Sequence, residues 1–178
     1  MKKDVLMPVL AIVLAAIVLL AASAGLSSVR EEKAQRELND MLKTLLPGSD
    51  TFSQEPYSGM DENIRAAYKA ENGYVVHVVT SGYAGDISML VGVYNDGTVS
   101  GLVVRELRET RGLGGRALTD TEFLSQFLNT RGDAAVGDNV DALTGATVTS
   151  RAIARGVNSA AAFVSGVDAS SSATTWGG

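Results

Sequence analysis

Cysteine is absent from this chain of 178 residues. That absence excludes structural disulfides, thiolate zinc sites, iron–sulfur ligation, thioether-linked haem, a cysteine nucleophile and a lipid-modified cysteine anchor. Any redox chemistry must then come from a bound organic cofactor. Histidine is nearly absent too, since His77 stands alone. A histidine-rich metal centre is therefore excluded, and a Ser-His-Asp triad would have to be built on that one residue. Basic side chains are outnumbered, 15 Lys and Arg against 20 Asp and Glu, for a formal charge of −5. No nucleic-acid partner is expected from such a balance, because those binders rely on clustered Lys and Arg. No internal repeat is visible at the period of solenoids or propellers.

What the chain does have begins near its amino terminus. Val5 to Leu26 is a run of 22 uncharged residues, about 33 Å long as a helix and so long enough to span a bilayer. Lys2 and Lys3 precede it, and basic residues stay on the cytoplasmic side. The expected topology is a single-pass cell-membrane protein with its amino terminus in the cytoplasm and the rest outside it. A cleaved signal peptide is the rival reading, with Ala22-Ser23-Ala24 as the small-residue processing site, but the apolar run exceeds the usual signal core of about 7–15 residues. The expected divisions are 1–26 for the cytoplasmic tip and transmembrane anchor, 27–50 for a helical connector, 51–165 for the exported domain and 166–178 for a small polar tail.

Within the connector, Leu38, Met41, Leu42, Leu45 and Leu46 make an apolar stripe at helical spacing, and Pro47-Gly48 ends it. Thr51 to Asn63 shows no periodicity and reads as loop. Two strand-like runs flank Glu71-Asn72-Gly73, an Asn-Gly hairpin signal. His77 lies in the second run, where a partly exposed strand residue is the bland reading and a catalytic role the sharper one. Ile87–Tyr94 and Val99–Leu107 flank Asn95-Asp96-Gly97-Thr98, a second hairpin signal. Asp120–Leu128 reads as a short amphipathic helix capped by Thr119 or Asp120, and Thr149–Val164 as a longer one. The expected fold is α+β, an antiparallel sheet with helices packed on one face, preceded by a single amino-terminal transmembrane helix.

Asp141–Arg151, DALTGATVTSR, stands immediately before that last helix. Gly145 permits a tight turn and close ligand approach, while Thr144, Thr147, Thr149 and Ser150 cluster hydroxyls where helix N–H groups lack partners. Such an end favours an anion through its donors and its dipole. A plain helix cap is the bland alternative. Residue chemistry alone takes this segment as far as those two readings.

Asp141-Ala142-Leu143-Thr144-Gly145-Ala146-Thr147 resembles the flavinylation motif Asp-x-x-(Ser/Thr)-Gly-Ala-(Thr/Ser) of FMN-binding domains. These domains occur in the G subunit of the Rnf ion-translocating oxidoreductase and in the related C subunit of the sodium-pumping NADH:quinone reductase. Gly82-Tyr83-Ala84-Gly85-Asp86-Ile87 is similar to the family's GY-x-G-x-I segment, and Glu109-Thr110-Arg111-Gly112-Leu113-Gly114 to its Glu-Thr-Pro-Gly-Leu-Gly loop. The resemblance covers roughly 80–165 and the anchor. It implies FMN joined by a phosphoester to Thr147, with Thr144, Gly145 and Ala146 beside it. A separate flavin transferase would make that bond, with FAD as donor and magnesium present. It also implies that Thr110, Gly112, Leu113 and Gly114 contact the cofactor, and that the partners are the integral-membrane subunits of an Rnf-type complex, with lipid met through the anchor. Such a subunit relays electrons rather than turning over a substrate alone.

Leu107 and Arg111 depart from the family pattern, which commonly has histidine and proline there. Arg151 and Arg155 lie within two turns of Thr147, where phosphate pairing competes with ordinary solvation. Three alternatives accompany the resemblance: the quinone-reductase C subunit or a stand-alone extracytoplasmic flavoprotein, a non-redox membrane-tethered binding module in which DALTGAT is only a capped helix, and a soluble hydrolase.

Overall fold

A computed structural model describes residues 31–107, 115, 117 and 119–166. The anchor expected at Val5–Leu26 lies outside the described residues, among which no helix is long and apolar enough to cross a membrane. The chain divides into two compact units, the second beginning at Met41. In the first, residues 31–40 are helical, and Lys33–Glu37 and Arg36–Glu32 make exposed i,i+4 ion pairs. Pairs of that kind contribute only a few tenths of a kcal/mol, roughly 0.3–0.5 each. The helix, α1, continues to residue 45 within the second unit.

Strand formation in the second unit follows from β-branched runs punctuated by turn residues. Five strands, β1 (Ser53–Glu55), β2 (Ile64–Lys69), β3 (Gly73–Ser81), β4 (Asp86–Tyr94) and β5 (Val99–Leu107), form one antiparallel sheet in the order β1-β2-β3-β4-β5. Both expected hairpins are present. Ala70 N–H donates to Gly73 O at 2.9 Å to close the first turn. In the second, Asp96 accepts from Thr98 N at 3.0 Å and Gly97 adopts φ +83°, a conformation that glycine takes without a Cβ penalty. Strand β1 corrects the expectation of loop over 51–63. Three residues, Ser-Gln-Glu, pair with the edge of β2, helped by an ion pair of 3.5 Å between Glu55 and Lys69, and a strand so short carries no hydrophobic alternation to reveal it.

Alternation sorts the sheet into two faces. Val76 and Val78 of β3 and Ile87, Met89, Val91 and Val93 of β4 share a core with Ile153, Val157, Ala160 and Ala161 of helix α3 (Thr147–Ser165). Each valine, isoleucine or methionine side chain among them stabilises the fold by about 1.5–3 kcal/mol relative to its exposed form. Phe123 and Phe127 join this core with centroids 5.2 Å apart, edge to face. Helix α2 spans Thr121–Ser125, capped by Asp120, whose carboxylate accepts from Phe123 N at 3.0 Å. It is shorter than the expected 120–128 because the chain turns after Ser125 and Asn129 takes φ +66°.

The opposite face is covered in part by the end of α1. Paired Gly92 and Gly101 leave a shelf against which the Leu45 backbone lies, and a Cβ on Gly92 would meet the Leu45 carbonyl oxygen. Ser100, the extra residue of a β-bulge opposite Gly92 and Val93, donates its hydroxyl to that same oxygen at 2.6 Å. Leu42, Leu45 and Leu46 are buried there. Helices thus meet both faces, not one: the connector's stripe brings its last turn onto the glycine shelf.

Candidate functional site at one end of the sheet

Helix α3 runs antiparallel to β3. A Cβ on Gly156 would lie 3.0 Å from Met89 Sδ and 3.2 Å from Thr80 Cγ2, and Arg155 Nη2 donates to Ser81 O at 2.9 Å. Farther along, Asn63 Nδ2 donates to Ser159 Oγ at 3.3 Å and the Phe163 ring meets Tyr74 edge-on at 5.5 Å. From Gly156 back to Thr147 the helix rises about 13 Å at about 1.5 Å per residue. The start of α3 therefore points toward the end of the sheet that carries the β3–β4 turn, which Gly82 N–H closes onto Gly85 O at 2.8 Å. Strand β5 finishes at the same end, since its last residue, Leu107, pairs with Ile87. Three separate stretches of sequence, Gly82–Gly85, the exit of β5 and the start of α3, are brought to one end of the domain.

The helix terminus there is open to an anion. Its N-cap is Ala146, which has no side-chain oxygen to cap with, and no acidic residue occupies the first turn. Ser150 N–H makes the first intrahelical bond, to Ala146 O at 2.9 Å, so the amides of Thr147, Val148 and Thr149 precede the helical ladder. Gly145, at φ +76°, turns the chain into the helix. Thr144, Gly145 and Thr147 are exposed, whereas Leu143 and Ala146 are buried in the core. Thr147 therefore offers its hydroxyl to solvent beside unpaired helix donors, on a backbone held by its buried neighbours.

That hold comes from residues the motif itself does not contain. The buried Ser150 hydroxyl accepts from Leu143 N at 3.0 Å and donates to Ala146 O at 3.0 Å. Gln126 Oε1 accepts from Asp141 N at 2.7 Å. Away from the motif, Asn158 holds the 134 loop onto α3, accepting from Ala134 N–H at 3.0 Å and donating to its C=O at 2.9 Å. The spacing of Ser150 four residues after Ala146 was the available signal for the first of these. Gln126 and Asn158 act across 15 and 24 residues, beyond the reach of any local pattern.

Of the other expected residues, Thr110, Gly112, Leu113 and Gly114, with Arg111, lie outside the described residues. Arg155 spends its guanidinium on Ser81 O, and Arg151 is exposed. His77 alternates onto the face away from α3, where Nε2 lies 2.9 Å from Ser88 Oγ. Burial, then Arg105 and Arg65, lower its pKa below the ordinary histidine value, against an opposing effect of Glu106. It takes no part in this end of the domain. Among the described residues no group of acidic or imidazole side chains could hold a metal.

The uncapped helix amino terminus, the glycine turn into it and the exposed threonine at its first residue all lie within residues 82–162, which match the FMN-binding domain family. The chain is 35% identical over 146 residues, 75% of each chain, to the G subunit of the proton-translocating ferredoxin:NAD(+) oxidoreductase complex of Clostridium ljungdahlii. It is 30% identical over 178 residues, 92% of this chain and 94% of the relative, to the G subunit of the ion-translocating oxidoreductase complex of Methanosarcina acetivorans. The corresponding G subunit of Vibrio vulnificus is 30% identical over 157 residues, with 73% of each chain covered. The chain belongs to the family of G subunits of Rnf-type ion-translocating oxidoreductases.

Proposed function

We propose that this protein is the FMN-carrying, electron-relaying subunit of a membrane-bound Rnf-type oxidoreductase, with the flavin fixed by a phosphoester to Thr147. The observation that carries the attachment is the exposed Thr147 hydroxyl at the uncapped start of α3. In the maturation step the Thr147 oxygen attacks the flavin-side phosphorus of FAD. A threonyl O–P bond forms, the pyrophosphate bond breaks, AMP departs and the hydroxyl proton is released. A flavin transferase supplies the catalysis, with magnesium.

When bound, FMN supplies the electron-carrying chemistry, and the chain supplies attachment, orientation and electrostatics. The amides of Thr147, Val148 and Thr149 and the helix dipole favour the phosphate charge. Thr144, Gly145 and Ala146 shape the approach to it, and Thr110, Gly112, Leu113 and Gly114, which follow β5 in sequence, are the further cofactor contacts that the resemblance implies. The apolar run Val5–Leu26 holds the subunit in lipid and against integral-membrane partners, with the flavin domain on the extracytoplasmic side, where a covalent bond prevents cofactor loss.

Co-expression with a flavin transferase tests the reading. On a denaturing gel the full-length wild-type band should fluoresce as flavin, and the Thr147→Ala band should not. A dark wild-type band under conditions that flavinylate a control substrate would overturn it.

A further inference from the structure

The last turn of α1 covers only part of the sheet face away from α3. Leu45 lies on the Gly92–Gly101 shelf, and Ser88, four residues back along β4, is about 13 Å from that shelf at about 3.3 Å per residue. There the face carries His77, whose Nε2 lies 2.9 Å from Ser88 Oγ. Val79 follows two residues on along β3, and Val103 of β5 stands opposite Leu90, which in turn stands opposite His77. His77, Val79 and Val103 are half-buried, a row that solvent still reaches.

Two β-bulges bring charge to this row. Arg65 is the extra residue between Ile64 and Ala66, opposite Val78 and His77, and Arg105 is the extra residue between Val104 and Glu106, opposite Met89 and Ser88. A bulge re-aims a side chain that regular pleating would send elsewhere. Both arginines are exposed, and both are close enough to act on the His77 ring, as is the Glu106 carboxylate in the opposite sense. Neither guanidinium makes an ion pair or a side-chain hydrogen bond among the described residues. On a chain with 20 acidic side chains against 15 basic ones, two uncompensated guanidiniums beside one carboxylate leave this patch net positive. Arginine flanking half-buried apolar side chains is the composition of an interface centre, and a guanidinium takes a carboxylate through two parallel hydrogen bonds.

We propose that an acidic segment of another subunit of the complex docks on this part of the sheet, with its carboxylates on Arg65 and Arg105 and its apolar side chains on Val79 and Val103. The proposal rests on membership of an Rnf-type complex and not on the flavin at Thr147. A lipid surface fits this patch less well, because anionic headgroups are held by clusters of about 4–8 basic residues, whereas Arg65 and Arg105 make a pair about an apolar row.

The test uses the full-length protein in membranes that also hold the other subunits, extracted in detergent and captured through a tag on this chain. With Arg65→Glu and Arg105→Glu combined, the recovered partner subunits should fall several-fold. Lys33→Glu, which reverses an exposed charge on α1, should recover wild-type amounts. A second readout needs no substitution: His77 is the chain's only histidine, so its labelling by diethyl pyrocarbonate reports this face in the wild type. Labelling should be several-fold lower in the assembled complex than in the isolated subunit. Equal recovery of partners by wild type and the double variant, with equal His77 labelling in the two states, would overturn the proposal. So would retention of partners by the double variant together with loss of its binding to anionic vesicles, which assigns the patch to lipid. A concentration-dependent dimer of the isolated subunit that protects His77 would overturn it as well. Flavin content is read in the same samples, and a flavin-free protein that still assembles through this face would overturn the FMN reading while supporting this one.

Discussion

Ser150 and Leu143 are joined by a hydrogen bond of 3.0 Å in which the serine hydroxyl accepts from the leucine amide, while the same hydroxyl donates to Ala146 O. One buried side chain therefore fixes both the approach to Gly145 and the first helical turn. The threonine that follows the turn is held in place by the residue three positions beyond it.

Ser150→Ala should leave the Leu143 amide buried without a partner, at a cost of about 1–3 kcal/mol. Thermal unfolding of the extracted protein should show a midpoint lower by several degrees, with flavin loading reduced in step. A melting temperature equal to wild type would mean that water or a relaxed turn replaces the bond.

Gly145 takes φ +76°, where an ordinary side chain pays about 1–2 kcal/mol and asparagine pays less. Flavin incorporation should fall in the order Gly145, Gly145→Asn, Gly145→Ala, read as the flavin-to-protein ratio after denaturation. Equal loading in all three would show that the turn is not needed in this conformation.

On the other face of the sheet, Gly92→Ala would drive a methyl group into the Leu45 carbonyl. The cost should be about 1–3 kcal/mol, seen as a lower melting temperature. Ser100→Ala, which removes only the hydroxyl bond to the same oxygen, should cost about 1 kcal/mol. The reverse order would contradict the close packing of α1 on the glycine shelf.

His77 has its pKa lowered chiefly by burial, so the folded state disfavours its charged form. A depressed folded value gives stability that is complete above the unfolded pKa, near the ordinary value of about 6.5, and is lost as pH falls from there toward the folded value. Wild-type melting temperature should therefore decline on acidification through this window more steeply than that of His77→Gln. Parallel curves for the two proteins would remove His77 as the cause.

The sheet was legible because its strands carry their own evidence: β-branched alternation and two turns built on Asn-Gly and Asn-Asp-Gly-Thr. Helix α3 begins at Thr147, two residues before its apolar stripe suggests, because the periodic residues start at Ile153 and cannot report where the backbone first turns. The placement of α1 on the second face depended on Gly92 meeting Gly101 across two strands. No local window contains that pairing. The same limit hid the supports of the site. Thr144, Gly145 and Thr147 could be read from a contiguous motif, whereas Gln126 reaches Asp141 only through tertiary structure.

Peptide mapping of the full-length protein, purified from membranes that also contain a flavin transferase, addresses the attachment most directly. Trypsin should release the segment from Gly132 to Arg151, which contains Thr144, Thr147, Thr149 and Ser150. Tandem mass spectrometry should find this peptide carrying one FMN, less one water, with fragment ions that place the modification on Thr147. An unmodified peptide, or FMN borne by Thr144, Thr149 or Ser150, would contradict the account.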